Sequence, residues 1–289
     1  MGIYEISLAT VVGINIILAL GLNMISGFCG QISLGHAAFY GIGAYTAALM
    51  AKAGVPIPLT IATAMVSAGI AGLLVGLASL RVRHDFLAIT TMGVGFLFLG
   101  IVRQQEVLGG ELGISGIPSA GLGKIGYLAV VLIIALLAAA FSLWIKRSWM
   151  GFAFDAVADD EDTARVLTVD VGAYKLAAFA MGTAMAGVAG GLYTFFARFL
   201  MPDDFGFITS ITVLSMVAVG GIGSVFGVIA ATIILTLMPE FFRFISDYKL
   251  LVYGALLFAV MRFAPEGLAG FTRLLFMRLK GKQHTGETT

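Results

Sequence analysis

Residues 146–175 read KRSWMGFAFDAVADDEDTARVLTVDVGAYK, the longest polar interruption between strongly apolar segments of the chain. The stretch opens on Lys146-Arg147 and carries Asp155, Asp159, Asp160, Glu161, Asp162 and Asp170. Apolar runs of about 20 residues flank it, and a bilayer forces such runs into helices because it offers backbone groups no water. An acidic, helix-competent loop between membrane spans is a place where something on one side of the membrane can grip the protein.

The rest of the composition fits this frame. Hydrophobic residues make up 60% of the 289 and charged residues 11%, against about 25% charged in a soluble domain; the mean hydropathy is +1.02. The expected fold class is all-α: a polytopic transmembrane bundle of about 8–10 spans. The 38 glycines, nearly twice the usual ~7%, favour close helix approach and broken helices. A net charge of +1 makes no case for nucleic acid, and the lone Cys29 forms no intrachain disulfide. With no Lys or Arg before Lys52, the first apolar run is expected to stay as a span rather than leave as a signal peptide.

Hydropathy places spans near 4–26, 33–51, 57–80, 86–102, 127–145, 173–197, 208–221, 224–243 and 250–263. As one helix, 208–243 would be roughly 50 Å long, so the run Gly220-Gly221-Ile222-Gly223-Ser224 is expected to turn it back. If the 146–172 loop is cytoplasmic, eleven of the 17 Lys and Arg residues lie inside and six outside, which the positive-inside rule favours. The N-terminus is then outside and the C-terminus inside. Within the loop, Asp159 or Asp160 can cap a short helix over about 160–169. Glu161 and Asp162 suit its first turn, and Ala164, Leu167 and Val171 give it one small apolar face. Such a segment is either a docking helix lying across the membrane face or a solvated amphipathic linker.

Two further stretches stand out. Gly27 to Tyr45 carries Gln31, Ser33, His36 and Tyr45 among Gly27, Gly30, Gly35, Gly41 and Gly43. Polar side chains in a span usually face the protein interior or a wet cavity. These four are therefore candidates for a pathway lining, or else form interhelical hydrogen bonds in small-residue packing. The run around Gly220, Gly221 and Ser224 either exposes backbone groups to a substrate or makes a plain turn. Gly113–Pro118 and Met201–Asp204 are turn chemistry. Nucleotide hydrolysis by a phosphate loop is excluded, since Gly123-Lys124 lacks the preceding glycine and the following hydroxyl. His36, His84 and His284 are too scattered for a His-x-x-x-His metal site, and no Gly-x-Ser-x-Gly elbow occurs. No Asp or Glu falls in the middle of a predicted span, where an ion-coupled carrier usually needs one.

Taken together, Gly21-Leu22-Asn23, Gly30 to Phe39, Gly41 to Tyr45, Gly113 to Pro118, Tyr174-Lys175-Leu176, Ala186 to Gly190, Val219 to Ser224, Pro239-Glu240 and Pro265 to Leu268 resemble the permease subunits of bacterial ABC importers for branched-chain amino acids, of LivM type. The match covers about residues 15–271. It implies a non-catalytic subunit of the bacterial cytoplasmic (inner) membrane, with a transmembrane permease domain over 1–272 and a polar cytoplasmic tail over 273–289. It also implies a second, LivH-like permease, two cytoplasmic ATP-binding subunits, a periplasmic substrate-binding protein and no cofactor of its own. The family's coupling helix, seated on the ATPase, maps onto Asp160, Glu161, Asp162, Thr163, Ala164, Arg165, Val166 and Leu167. Two departures are visible: the lead-in at Phe154, Asp155 and Ala158 is less basic than the family pattern, and a family glycine after the helix corresponds to Thr168. Other small solutes (another amino acid, an amide or urea) and a stand-alone secondary transporter are the alternatives.

Overall fold

The computed structural model describes residues 2–80, 84–241 and isolated positions between 251 and 270. The predicted span at 250–263 falls largely outside the described residues, and the tail from 273 entirely so. Ten α-helices follow one another among the described residues up to 241: α1 Ile3–Leu22, α2 His36–Lys52, α3 Ile57–Ser79, α4 His84–Gln104, α5 Gly123–Arg147, α6 Trp149–Asp159, α7 Glu161–Val166, α8 Val171–Ala197, α9 Phe207–Gly220 and α10 Val225–Phe241. No strand occurs among the described residues, only an isolated antiparallel bridge between Ile114 and Leu200. Among the described residues, six segments are long and apolar enough to cross a membrane: Ile3–Phe28, Ile57–Ala78, Phe86–Gln104, Gly123–Arg147, Val171–Ala197 and Pro202–Gly220. The chain is a polytopic membrane helix bundle.

Helix α8 is its axis, packed against α1, α2 and α3. Its buried face reads Gly182, Thr183, Ala186, Gly187, Ala189, Gly190. Between helices in lipid, tight van der Waals contact takes the place of a hydrophobic driving force, and small side chains let backbones meet. A Cβ on Gly187 would fall onto the Ala64 carbonyl oxygen of α3 and 2.6 Å from Ala68 Cβ; one on Gly43 of α2 would lie 2.5 Å from Gly187 Cα. Thr194 adds a polar tie, donating to the Ala44 carbonyl at 2.9 Å. The outward faces of α3, α4 and α5 expose Leu74, Leu77, Ile89, Leu97 and Leu136, as surfaces in contact with lipid tails do.

On the face carrying the chain start, Leu200 and Ile114 exchange backbone hydrogen bonds at 3.0 Å, and Arg103 pairs with Asp203 at 2.5 Å. The turn residues at 201–204 carry Phe205 into the bundle, where its ring meets Tyr40, Tyr45, Phe98 and Tyr193 at centroid distances of 5.1 to 6.5 Å.

Three expectations change. The second span starts its helix at His36, not 33, because Leu34 N–H is taken by Thr91 Oγ1 at 3.0 Å and Gly35 leaves the helical region. The 146–172 loop holds two helices instead of one over 160–169. Asp160 separates them in an extended conformation (φ −161°, ψ 113°) and caps α7 by accepting the Thr163 N–H at 2.8 Å. Helix α7 stops at Val166 because Thr168 turns left-handed (φ 66°), with Thr168 N–H on Arg165 O and Val169 N–H on Ala164 O. This is a Schellman stop, a position that usually takes glycine. The single apolar face of Ala164, Leu167 and Val171 is accordingly split: Ala164 and Val171 are buried, while Leu167 is 65% exposed.

Candidate functional site

The three stretches singled out in the sequence meet on the face that carries the 148–170 loop. Helix α1 continues as a π-helical turn, Asn23–Phe28, and residues 29–35 are non-helical before α2. Irregular backbone at membrane depth survives only where protein surrounds it or where it lines a cavity, and here protein side chains hold it. Ser26 donates to the Gln31 carbonyl at 2.9 Å, Gln31 Nε2 donates to the Lys175 carbonyl of α8 at 3.1 Å, and Ala37 N–H donates to Ser210 Oγ of α9 at 3.1 Å. Gln31 Nε2 also lies 3.4 Å from the buried Cys29 sulfur.

The second break, between α9 and α10, falls on the glycines as expected: Gly221 (φ 101°) and Gly223 (φ 82°) take conformations that side chains disfavour. Ser224 caps α10, its Oγ accepting from Gly227 N–H at 3.2 Å, and Gly220 packs on Val228. Both backbone groups of Gly223 are engaged. Its N–H donates to Asn23 Oδ1 at 3.0 Å, and its carbonyl accepts from the Lys146 ammonium at the end of α5. That ammonium also stands 5.5 Å from the Phe28 ring centre. The two broken stretches are thus bolted together, with Asn23 and Lys146 as the bolts. Neither carried a site role in the sequence reading, although Asn23 is a polar residue inside an apolar run and Lys146 closes one.

The loop joins the same assembly. Glu161 pairs with Lys175 of α8 and, through Oε2, with Arg165 at 3.3 Å; Arg165 also meets Asp162 at 2.9 Å. Ala164 is buried, whereas Val166 (82% exposed) and Leu167 stand out from the surface. Asp160 Oδ1 accepts the Thr163 amide, which holds its carboxyl below the ordinary carboxylate value. Burial raises that of Asp155, with Lys146 opposing and Asp159 reinforcing the shift. Of the four polar residues nominated in the first stretch, Gln31, Ser33, His36 and Tyr45 are all buried. His36 stands against Gly21, Tyr45 against Phe98 and Phe205. The Ser33 and Tyr45 hydroxyls find no hydrogen-bond partner among the described residues. A cavity of about 470 Å³ opens on the opposite face between Ile6, Lys124, Tyr127 and Arg198, and none of the four lines it.

A bundle with six described segments able to cross a membrane, its exposed helical loop tied into two internal helix breaks, is a multi-pass membrane protein. More narrowly, the chain belongs to the family described as "Branched-chain amino acid transport system / permease component", which matches residues 5–261. It is 34% identical to the high-affinity branched-chain amino acid transport system permease protein LivM of Salmonella typhimurium, over 98% of this chain and 74% of that protein. The LivM protein of Escherichia coli is also 34% identical, over 98% and 73%. LivH of Escherichia coli is 26% identical over 88% of this chain and 90% of its own length. No solved structure matches the chain.

Proposed function

We propose that this chain is one of two permease subunits of an ATP-binding cassette importer of the bacterial inner membrane, moving branched-chain amino acids. Its partner is a LivH-like permease, two cytoplasmic ATP-binding subunits supply the energy, and a periplasmic binding protein delivers substrate. The observation that carries this reading is α7, a capped helix presented on one face with Val166 and Leu167 exposed and its mount joined to both helix breaks. Closure of the ATPase pair displaces α7, and its differential affinity for one arrangement of the permease biases the pathway to one side. Asp160, Asp162, Arg165 and Leu167 shape the surface offered to the ATPase, while Ala164, buried on the inner side of the same helix, and Glu161 seat that helix on the bundle. Support for an outside energy source comes from the spans, whose described middles carry no Asp or Glu.

The pathway runs beside the first break and the Gly220–Ser224 turn. Gln31, Ser33 and His36 lie in or next to the first break, and the Ser33 hydroxyl, without a hydrogen-bond partner among the described residues, supports a polar lining there that rearranges during transport. Tyr45, its hydroxyl likewise unpaired among those residues, stands farther along α2 against Phe98 and Phe205 and continues the lining. An aliphatic amino acid needs an apolar wall and a few polar groups for its zwitterion. With no Asp or Glu in the middles of the described spans to form a charge pair there, the binding protein and backbone dipoles supply selectivity.

The test is reconstitution of the chain with its partner permease and ATPases in proteoliposomes. ATP-dependent leucine uptake is expected, together with loss of ATPase association on Leu167→Asp while the chain stays in the membrane. Uptake by this chain without any ATPase refutes the reading. Uptake of amides or urea in preference to leucine, isoleucine and valine replaces the substrate.

A further inference from the structure

Glu161 sits on the inner side of α7. Its side chain is 18% exposed, while those of Asp162 and Arg165 on the same helix are 91% and 59% exposed. Its partner Lys175 is only 12% exposed, so both charges have left most of their water, and a pair in such surroundings is held more stiffly than one in bulk solvent. Lys175 belongs to the first turns of α8, the axis of the bundle, and its own carbonyl receives the Gln31 side chain at 3.1 Å. Gln31 lies in the non-helical link between α1 and α2, and Asn23, in the π-turn before it, holds Gly223 of the second break.

We infer that Glu161 and Lys175 form a strut that carries the displacement of α7 into α8, with Gln31 passing it from Lys175 to the broken first span. Glu161 is then a positioning residue facing the bundle and makes no contact with the ATPase. This inference rests on the ATPase-driven reading above. A displaced α7 without the strut slides on its apolar seat at Ala164. With the strut it drags the base of α8, and the Gln31 hydrogen bond makes the first break follow.

The experiment uses the full complex in proteoliposomes and reads substrate moved per ATP hydrolysed, normalised to complexes that retain the ATPase, so that poor folding lowers yield and not the ratio. Glu161→Gln and Lys175→Met are expected to lower the ratio about tenfold, inside the ~5–150-fold span of ordinary coupling energies, with ATPase binding unchanged. The exchanged pair Glu161→Lys with Lys175→Glu, and the conservative Lys175→Arg, are expected to recover most of it. Gln31→Leu is expected to lower it to a smaller extent. A wild-type ratio in both single variants overturns the inference, as does an exchanged pair no better than the singles, or loss of ATPase binding in Glu161→Gln. Absence of ATP-dependent uptake in the wild-type complex overturns the functional reading instead.

Discussion

The sharpest structural prediction concerns two glycines one helical turn apart on α8. An alanine at 187 puts a methyl 2.6 Å from Ala68 Cβ and onto the Ala64 carbonyl. Carbon atoms rest at about 3.5–4.0 Å, and a gap of 0.5–1 Å forfeits a quarter to a half of each contact. Helix α3 must therefore retreat by roughly 1 Å, loosening every neighbour along the seam. Overpacking of this kind costs about 1–3 kcal/mol, offset by about 1 kcal/mol of helix propensity gained when Gly becomes Ala. At Gly191 the added methyl meets Ala64 Cβ at 3.3 Å and Ile61 at 3.7 Å, so a shift of a few tenths of an ångström suffices and the propensity gain dominates. Gly191→Ala is expected to match or exceed wild type, and Gly187→Ala to lie about 1–3 kcal/mol below Gly191→Ala. Unfolding of the detergent-solubilised chain by titration with a denaturing detergent measures both. Equal stability of the two variants, or a more stable Gly187→Ala, refutes the packing argument for α8 as the axis.

Two other outcomes are expected. Single cysteines placed at Asp160 and at Ser119 should react with membrane-impermeant reagents from opposite sides, because the single span α5 separates the 148–170 loop from residues 119–122; labelling from one side would remove a crossing. Thr168→Gly should tighten the end of α7, since a β-branched residue at φ 66° carries roughly 1–2 kcal/mol of left-handed strain that glycine relieves. Slower limited proteolysis within 160–170 is the readout, and faster cleavage counts against the Schellman stop.

Hydropathy alone located the six described segments that can cross a membrane, because a bilayer permits only runs that satisfy their own backbone, while the predicted span at 250–263 lies largely outside the described residues. The turn at Gly221 and Gly223 was legible from glycine spacing. The stop after α7 was missed: the reading carried the helix to 169, whereas Thr168 turns left-handed, a conformation a β-branched residue gives no local reason to expect. Helix α6 escaped the reading although Ala153, Phe154 and Val157, its buried set, stand at helical spacing. Exposed Trp149 and Phe152 blur that stripe. What no pattern along the chain could reveal is the joining of the site. Gln31 and Lys175 are 144 residues apart, Asn23 and Gly223 200 apart, and nothing local in either sequence names its partner. The same holds for the inward aim of Glu161, whose neighbours Asp160 and Asp162 look alike on paper and face water.

The shortness of α7 bears on how force enters the protein. Six residues are far below the ~12–15 at which a helix becomes marginal on its own, so α7 owes its geometry to its mount: the Asp160 cap, the seat of Ala164, the Schellman stop at Thr168 and the pair with Lys175. A helix stable in isolation can tilt or slide while keeping its shape, and much of a push on it is then absorbed at its joints. A helix that exists only while its joints hold must move with them or unfold. Under the proposed mechanism that makes α7 an efficient lever: substitution in the residues that attach it breaks the transfer of motion, whereas substitution in those that touch the partner, such as Leu167, breaks association. The acidic lead-in fits the same division: Asp155 and Asp159 project from α6, which is fixed to the bundle by Phe154 against Tyr174, so their charge can select a partner surface without weakening the mount of α7.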